Sequence, residues 1–218
     1  MSDTAVLSFP LKGISVAKRP PGHHPLALDL AGLASPASQL TTSGRLRWLA
    51  SRTPAESYHG WSMPIHGPGK GVVVAAADGQ ADRVRTGAVN TVALLIYATF
   101  IFKPQVSESG QPDIQPNVGN HVMVQIAPAQ VAFYAHLQQG SVDVAVGDEV
   151  SDGSVLARLG NSGNTTAPHL HIHVLDQMDD LNTAELVPFV FASYERWDGS
   201  RWHRQTESLP KPGQILRN

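Results

Sequence analysis

The chain has 218 residues, of which 16% are charged, with a net charge of −2 when histidine is neutral and no cysteine. That length suffices for one large domain or two small ones with a real core, and the charge balance supplies no basic field for nucleic acid or an anionic membrane. Without thiols, any metal must be held by histidine and carboxylate.

Glycine and proline are abundant, at 19 and 16, which favours short strands joined by tight turns over long helices. Residues 1–10 lack a basic start followed by an apolar run, so no secretory signal is expected there. The compartment is therefore cytoplasmic as written, or extracytoplasmic if a leader has been removed.

The stretch Gly22-His23-His24-Pro25-Leu26-Ala27-Leu28-Asp29-Leu30-Ala31 reads as a strand. Leu26, Leu28 and Leu30 fall on one face and Ala27, Asp29 and Ala31 on the other, because successive side chains alternate. A carboxylate between two alanines has room around it, which suits either a ligand or an edge residue facing water. Residues 36–56 and 107–119 read as loops. Strands are expected over 72–77, ending in the turn pair Asp78-Gly79, and over 92–102, 122–126, 131–137 and 141–146. The apolar run 91–102 falls short of the about 20 residues a membrane span needs, so no span is expected.

The strongest signal comes late. The glycine-rich turn Gly160-Asn161-Ser162-Gly163-Asn164-Thr165-Thr166 leads into Pro168-His169-Leu170-His171-Ile172-His173. In an extended strand His169, His171 and His173 project from one side and Leu170 and Ile172 from the other. A strand that only fills a core does not need three imidazoles on one face, whereas a metal site does. The spacing alone leaves open which histidine binds and which moves protons. His136 closes the apolar run Phe133-Tyr134-Ala135-His136-Leu137 and gains significance from that company. His59, His66, His121 and His203 lack comparable context and are expected at the surface or in supporting positions, with His59 and His66 as candidates for rimming a substrate groove. Strands recurring every 8–12 residues predict an all-β fold of antiparallel sheets forming a sandwich, with long loops and little helix. A single domain over 1–218 is expected, its core about residues 20–190, with an N-terminal arm and a C-terminal tail packed on it.

These segments resemble the lysostaphin-like zinc endopeptidases, the peptidoglycan-cutting family built on a duplicated hybrid motif. The resemblance rests on Asn120-His121-Val122-Met123-Val124, Tyr134-Ala135-His136-Leu137, Val146-Gly147-Asp148-Glu149-Val150, Gly160-Asn161-Ser162-Gly163 and Pro168-His169-Leu170-His171, in that order. It covers about residues 20–190 and is most specific from about 118 onward. It implies a Zn2+ cofactor held by His24, Asp29 and His171, with His136 and His169 catalytic and a peptide or peptidoglycan substrate. His23 is the alternative to His24, because the family's His-x-x-x-Asp spacing is stretched here; a further departure is His173, which stands where the family has Glu. Two histidines and one aspartate leave a fourth tetrahedral position for water, whose pKa zinc lowers from 15.7 to about 7. Two other readings compete. One is an inactive family member acting as a binding or regulatory module. The other is a carrier-type barrel: a swinging-arm carrier needs a lysine at an exposed hairpin tip, and no lysine lies between Lys103 and Lys211, while a phosphohistidine carrier would not need the ligand set just described.

Overall fold

A computed structural model describes residues 4–20, 23–96, 105–106, 112–181 and 183–218. The fold is all-β, dominated by one twisted sheet of eleven strands. From one edge its order runs Ala5–Leu7, Phe189–Trp197, Ile215–Arg217, Ile14–Lys18, Leu28–Leu33, Leu170–Leu175, Gln130–Leu137, Asn120–Ala127, Gly71–Ala77 and Glu149–Val150. Trp202–Ser208 pairs with Phe189–Trp197 outside this path. Every pairing in the sheet is antiparallel except Ala5–Leu7 with Phe189–Trp197, which is parallel. The expected N-terminal arm and C-terminal tail are therefore strands of the same sheet.

Alternation along the central strands sorts side chains onto two faces. Leu28, Leu30, Val122, Val124, Ala132, Tyr134, Leu170, Ile172 and Val174 enter the main core. There they meet the small sheet of Pro64–His66 and Val155–Arg158 through Ile65, Leu156 and Ala157. Each fully buried aliphatic side chain contributes about 1.5–3 kcal/mol. Met123, Phe133 and Ala135 face the other way, into a smaller cluster with Leu175. Asp29, His171 and Ala135 share that second face.

Tyr134 is fully buried, and among the described residues its hydroxyl has no hydrogen-bond partner. Burial drives its pKa far up. A buried unpaired hydroxyl costs about 1–3 kcal/mol, so Tyr134→Phe is expected to match or exceed the parent in thermal unfolding. A fall in Tm of several degrees would contradict this.

Four expected elements differ. Residues 92–96 of the strand expected over 92–102 belong to the helix Ala88–Ile96, and residues 97–102 lie outside the described residues. The Ser51 hydroxyl accepts hydrogen bonds from the amides of Val89 and Asn90, capping the helix start from a distant part of the chain. Residues 141–145 alternate in sequence but form no strand. Two of their amides go to carboxylates, Val142 to Asp78 and Ala145 to Asp148, while Asp143 donates to the Leu156 carbonyl. The expected loop 36–56 contains the short helix Arg45–Leu49 and the strand Thr53–Pro54. The loop expected over 107–119 carries the strand Pro112–Asp113 and the helix Gln115–Val118, with residues 107–111 outside the described residues.

Candidate metal and catalytic site

The site is set by register. Across the central strands His171 lies directly opposite Asp29 on one side and Ala135 on the other. Directly opposed residues project from the same face with their Cβ atoms about 4.5–5.5 Å apart. Asp29 Oδ1 and His171 Nδ1 consequently meet at 2.9 Å, although 142 positions separate them. Ala135 is small enough to leave the row open. Asp29 is 1% exposed, so the alternative of an edge aspartate facing water does not describe it.

The second carboxylate oxygen organises the rest. Asp29 Oδ2 lies 3.3 Å from His23 Nδ1 and 3.5 Å from His169 Nε2. These three atoms are all buried, and among the described residues none has a hydrogen-bond partner. Burial works against ionising Asp29, yet the surrounding imidazoles of His169, His171 and His23 hold it well below the usual carboxylate range. The same carboxylate raises the pKa of His23.

His23, not His24, is thus the histidine that joins Asp29 and His171. His24 turns back on its own loop. Its carbonyl accepts from the Ala27 amide and its exposed ring Nδ1 accepts from the Leu26 amide, closing a turn around Pro25. That turn carries the preceding residue over the carboxylate. Of the two histidines expected as first ligand, the structure sets the alternative His23, and not His24, beside Asp29 and His171.

His136 and His169 flank the cluster, with ring centroids 4.8 Å apart and His136 6.0 Å from His171. His136 Nδ1 contacts the Ser162 carbonyl at 2.9 Å and His169 Nδ1 the Ala167 carbonyl at 2.7 Å. Carbonyls only accept, so both Nδ1 atoms carry the proton. The neutral rings then present their Nε2 lone pairs. Burial, reinforced for His136 by His169 and His171, lowers the pKa of both. His136 adopts φ 63°, a left-handed conformation that a residue with a side chain seldom takes.

That strained position is held by the glycine-rich turn. A Cβ on Gly160 would come within 2.3 Å of the Gln138 backbone, so only glycine lets the turn lie against the end of the His136 strand. Ser162 Oγ donates to the Leu137 carbonyl at 2.6 Å and accepts from the Asn120 amide. Asp82 accepts from the amides of Asn161 and Gln139, tying the turn to both neighbours. The sequence marks Asn120 and Ser162 as motif residues but not in this role. Its one sign of Asp82 is the nearness of that residue to the Asp78-Gly79 turn.

His173 stacks on Phe133 at 4.6 Å, and its Nδ1 lies 3.0 Å from His171 Nε2. Burial pushes its pKa down to about 3, so it stays neutral and able to accept a hydrogen bond from His171 Nε2. An outer partner of this kind fixes a ligand's tautomer and orientation. His59, His66, His121 and His203 stand apart. His66 is buried in the small sheet, His121 bonds the Gly119 carbonyl, and His203 bonds Asp198 in the exposed C-terminal hairpin.

Residues 95–183 match the family model described as Peptidase family M23. The matched segment carries His136, His169 and His171, whereas His23 and Asp29 precede it. No curated protein matches the chain. Solved structures similar to it include a putative peptidase M23 from Pseudomonas aeruginosa. That likeness has 20% identity and a TM-score of 0.42, and covers 80% of this chain and 46% of that one. A mutant catalytic domain of the prophage-encoded M23 protein EnpA from Enterococcus faecalis is 14% identical with a TM-score of 0.44, covering 86% and 95%. The catalytic domain of the antimicrobial peptidase lysostaphin from Staphylococcus simulans is 15% identical with a TM-score of 0.41, covering 82% and 86%. The chain spans less than half the length of the Pseudomonas aeruginosa structure, at 46%, and of a zinc-containing peptidase from Vibrio cholerae, at 37%.

Proposed function

We propose that this lysostaphin-like member of peptidase family M23 is a zinc metalloendopeptidase that hydrolyses peptide bonds in bacterial peptidoglycan, in cross-links or stem peptides. The observation that carries the reading is the convergence of His23 Nδ1, Asp29 Oδ2 and His169 Nε2 as buried atoms without hydrogen-bond partners, beside the His171 ring. The lone pair of His169 Nε2 faces an ionised carboxylate that the His23 and His171 rings also crowd, and a cation among them would satisfy all of these groups.

The donor set fits zinc. Ligand atoms of His23, Asp29 and His171 all lie within 4.8 Å of one another. With metal–ligand distances near 2.1 Å, the edges of a tetrahedron are about 3.4 Å, and the His23 Nδ1 to Asp29 Oδ2 separation is 3.3 Å. Zinc held there supplies Lewis-acid polarisation of a peptide carbonyl and activation of water near neutral pH.

The chain's own groups supply the proton chemistry. His23, Asp29 and His171 would hold the ion, with His173 Nδ1 accepting from His171 Nε2 to keep that ring's Nδ1 toward Asp29. His136 and His169 are kept neutral by burial, so each Nε2 can take a proton as water attacks. Once protonated, each can donate to the developing oxyanion or to the leaving amine. Their Nδ1–H bonds to Ser162 and Ala167 prevent the rings from turning as the charge changes.

The test combines metal content with turnover. Purified protein is expected to hold one zinc per chain, to release new amino termini from purified peptidoglycan, and to lose and regain that activity on chelation and zinc repletion. Zinc-loaded protein that binds peptidoglycan without releasing amino termini would instead mark a binding module.

A further inference from the structure

We propose that the unit formed by residues 45–56 and 83–92 is a docking surface for an anionic lipid bilayer. This inference is independent of the catalytic reading.

The unit is continuous. Thr53–Pro54 pairs with Arg85–Thr86, the Ala55 amide donates to the Val84 carbonyl, and Ser51 caps the Ala88–Ile96 helix. A Cβ on Gly87 would collide with the Trp48 carbonyl, so the two segments are in close contact. Its outer side is unusual for a soluble domain. Leu46 is 82% exposed, Val84 69%, Val89 65% and Val92 56%, with Leu49 and Trp48 also exposed. Aliphatic groups this open, concentrated in one place, mark an interaction surface.

The charge is equally concentrated. These two segments contain five arginines against one acid, Glu56, a local +4 within a chain of net −2. Arg45, Arg47, Arg52 and Arg85 are exposed, and none has an ion pair among the described residues. The overall negative charge therefore conceals a basic region, and the expectation that no anionic membrane is engaged does not apply to it.

The combination selects the partner. A nucleic acid or a wall polyanion would satisfy the arginines but leave the aliphatic side chains in water. An anionic bilayer offers headgroup phosphates to the arginines, acyl chains to Leu46, Val84, Val89 and Val92, and the intervening boundary to Trp48. No helix among the described residues is long and apolar enough to cross a membrane, so contact would be peripheral. The link to the site is direct. Arg83, one residue before Val84, donates its amide to the Asn161 carbonyl and accepts from the Asn161 side chain in the glycine-rich turn.

Co-sedimentation of the full chain with vesicles tests the proposal. Equimolar phosphatidylglycerol and phosphatidylcholine should retain the protein, and pure phosphatidylcholine should not. Arg45→Gln/Arg47→Gln/Arg85→Gln is expected to weaken retention about 100-fold, at about fivefold per arginine. Leu46→Glu/Val84→Glu should abolish it while leaving the Tm unchanged, since both side chains are exposed. Equal behaviour on the two vesicle types, or no retention on either, would overturn the proposal. Retention of the Leu46→Glu/Val84→Glu variant, or equally tight binding to soluble polyphosphate, would reveal a polyanion contact and overturn it as well.

Discussion

Under the proposed function, replacing His171 with alanine is expected to abolish both zinc binding and peptidoglycan hydrolysis. The ring supplies the nitrogen opposite Asp29, and its register partner on the other side is Ala135, which carries no donor. Loss of a mere outer partner lowers metal affinity about 10–100-fold, and loss of a direct ligand must exceed that. Asp29→Asn should behave similarly with respect to zinc while remaining folded, because the amide keeps the shape of the buried carboxylate and one acceptor. The early histidines separate cleanly. His23→Ala will lose zinc, whereas His24→Ala will retain it, since the His24 ring faces the Leu26 amide. Elemental analysis of dialysed protein reads all four variants. Full zinc occupancy in His171→Ala would refute the ligand assignment.

His136→Ala will show the opposite pattern, retaining one zinc per chain while kcat falls about 10²–10³-fold. The ring is anchored through Nδ1 to Ser162 and directs its other nitrogen toward the cluster without reaching Asp29 within ion-pair distance. KM should change little, because the residue acts on the proton and the oxyanion rather than on remote parts of the substrate. Removing the strained φ 63° side chain will not relieve the backbone, as alanine retains a Cβ. Turnover within a few-fold of the parent, measured by amino-terminus release, would show that His136 only supports the fold.

Much of the site is legible in the amino-acid sequence. The His169, His171, His173 alternation depends only on the two-residue period of a strand, and the structure gathers those rings: His171 and His173 adjoin, and His169 and His171 both face Asp29. Asp29 between Ala27 and Ala31 is recognisable for the same reason. The choice between His23 and His24 is not. It turns on a loop conformation around Pro25, where strand periodicity no longer applies and a side-chain-to-backbone hydrogen bond decides which ring faces inward. The strand expected over 92–102 fails on its described portion because the Ala88–Ile96 helix is capped by Ser51, nearly forty residues away.

Local order, then, is written in the chain: strand period, turn glycines and the chemistry of each side chain act over a few residues. Tertiary structure alone decided which distant groups meet. Antiparallel register set Asp29 against His171, a turn carried His23 over them, and two remote segments gathered five arginines that the net charge averages away. Periodicity is a property of neighbours along the chain, whereas register, capping from afar and charge segregation exist only once the sheet has closed.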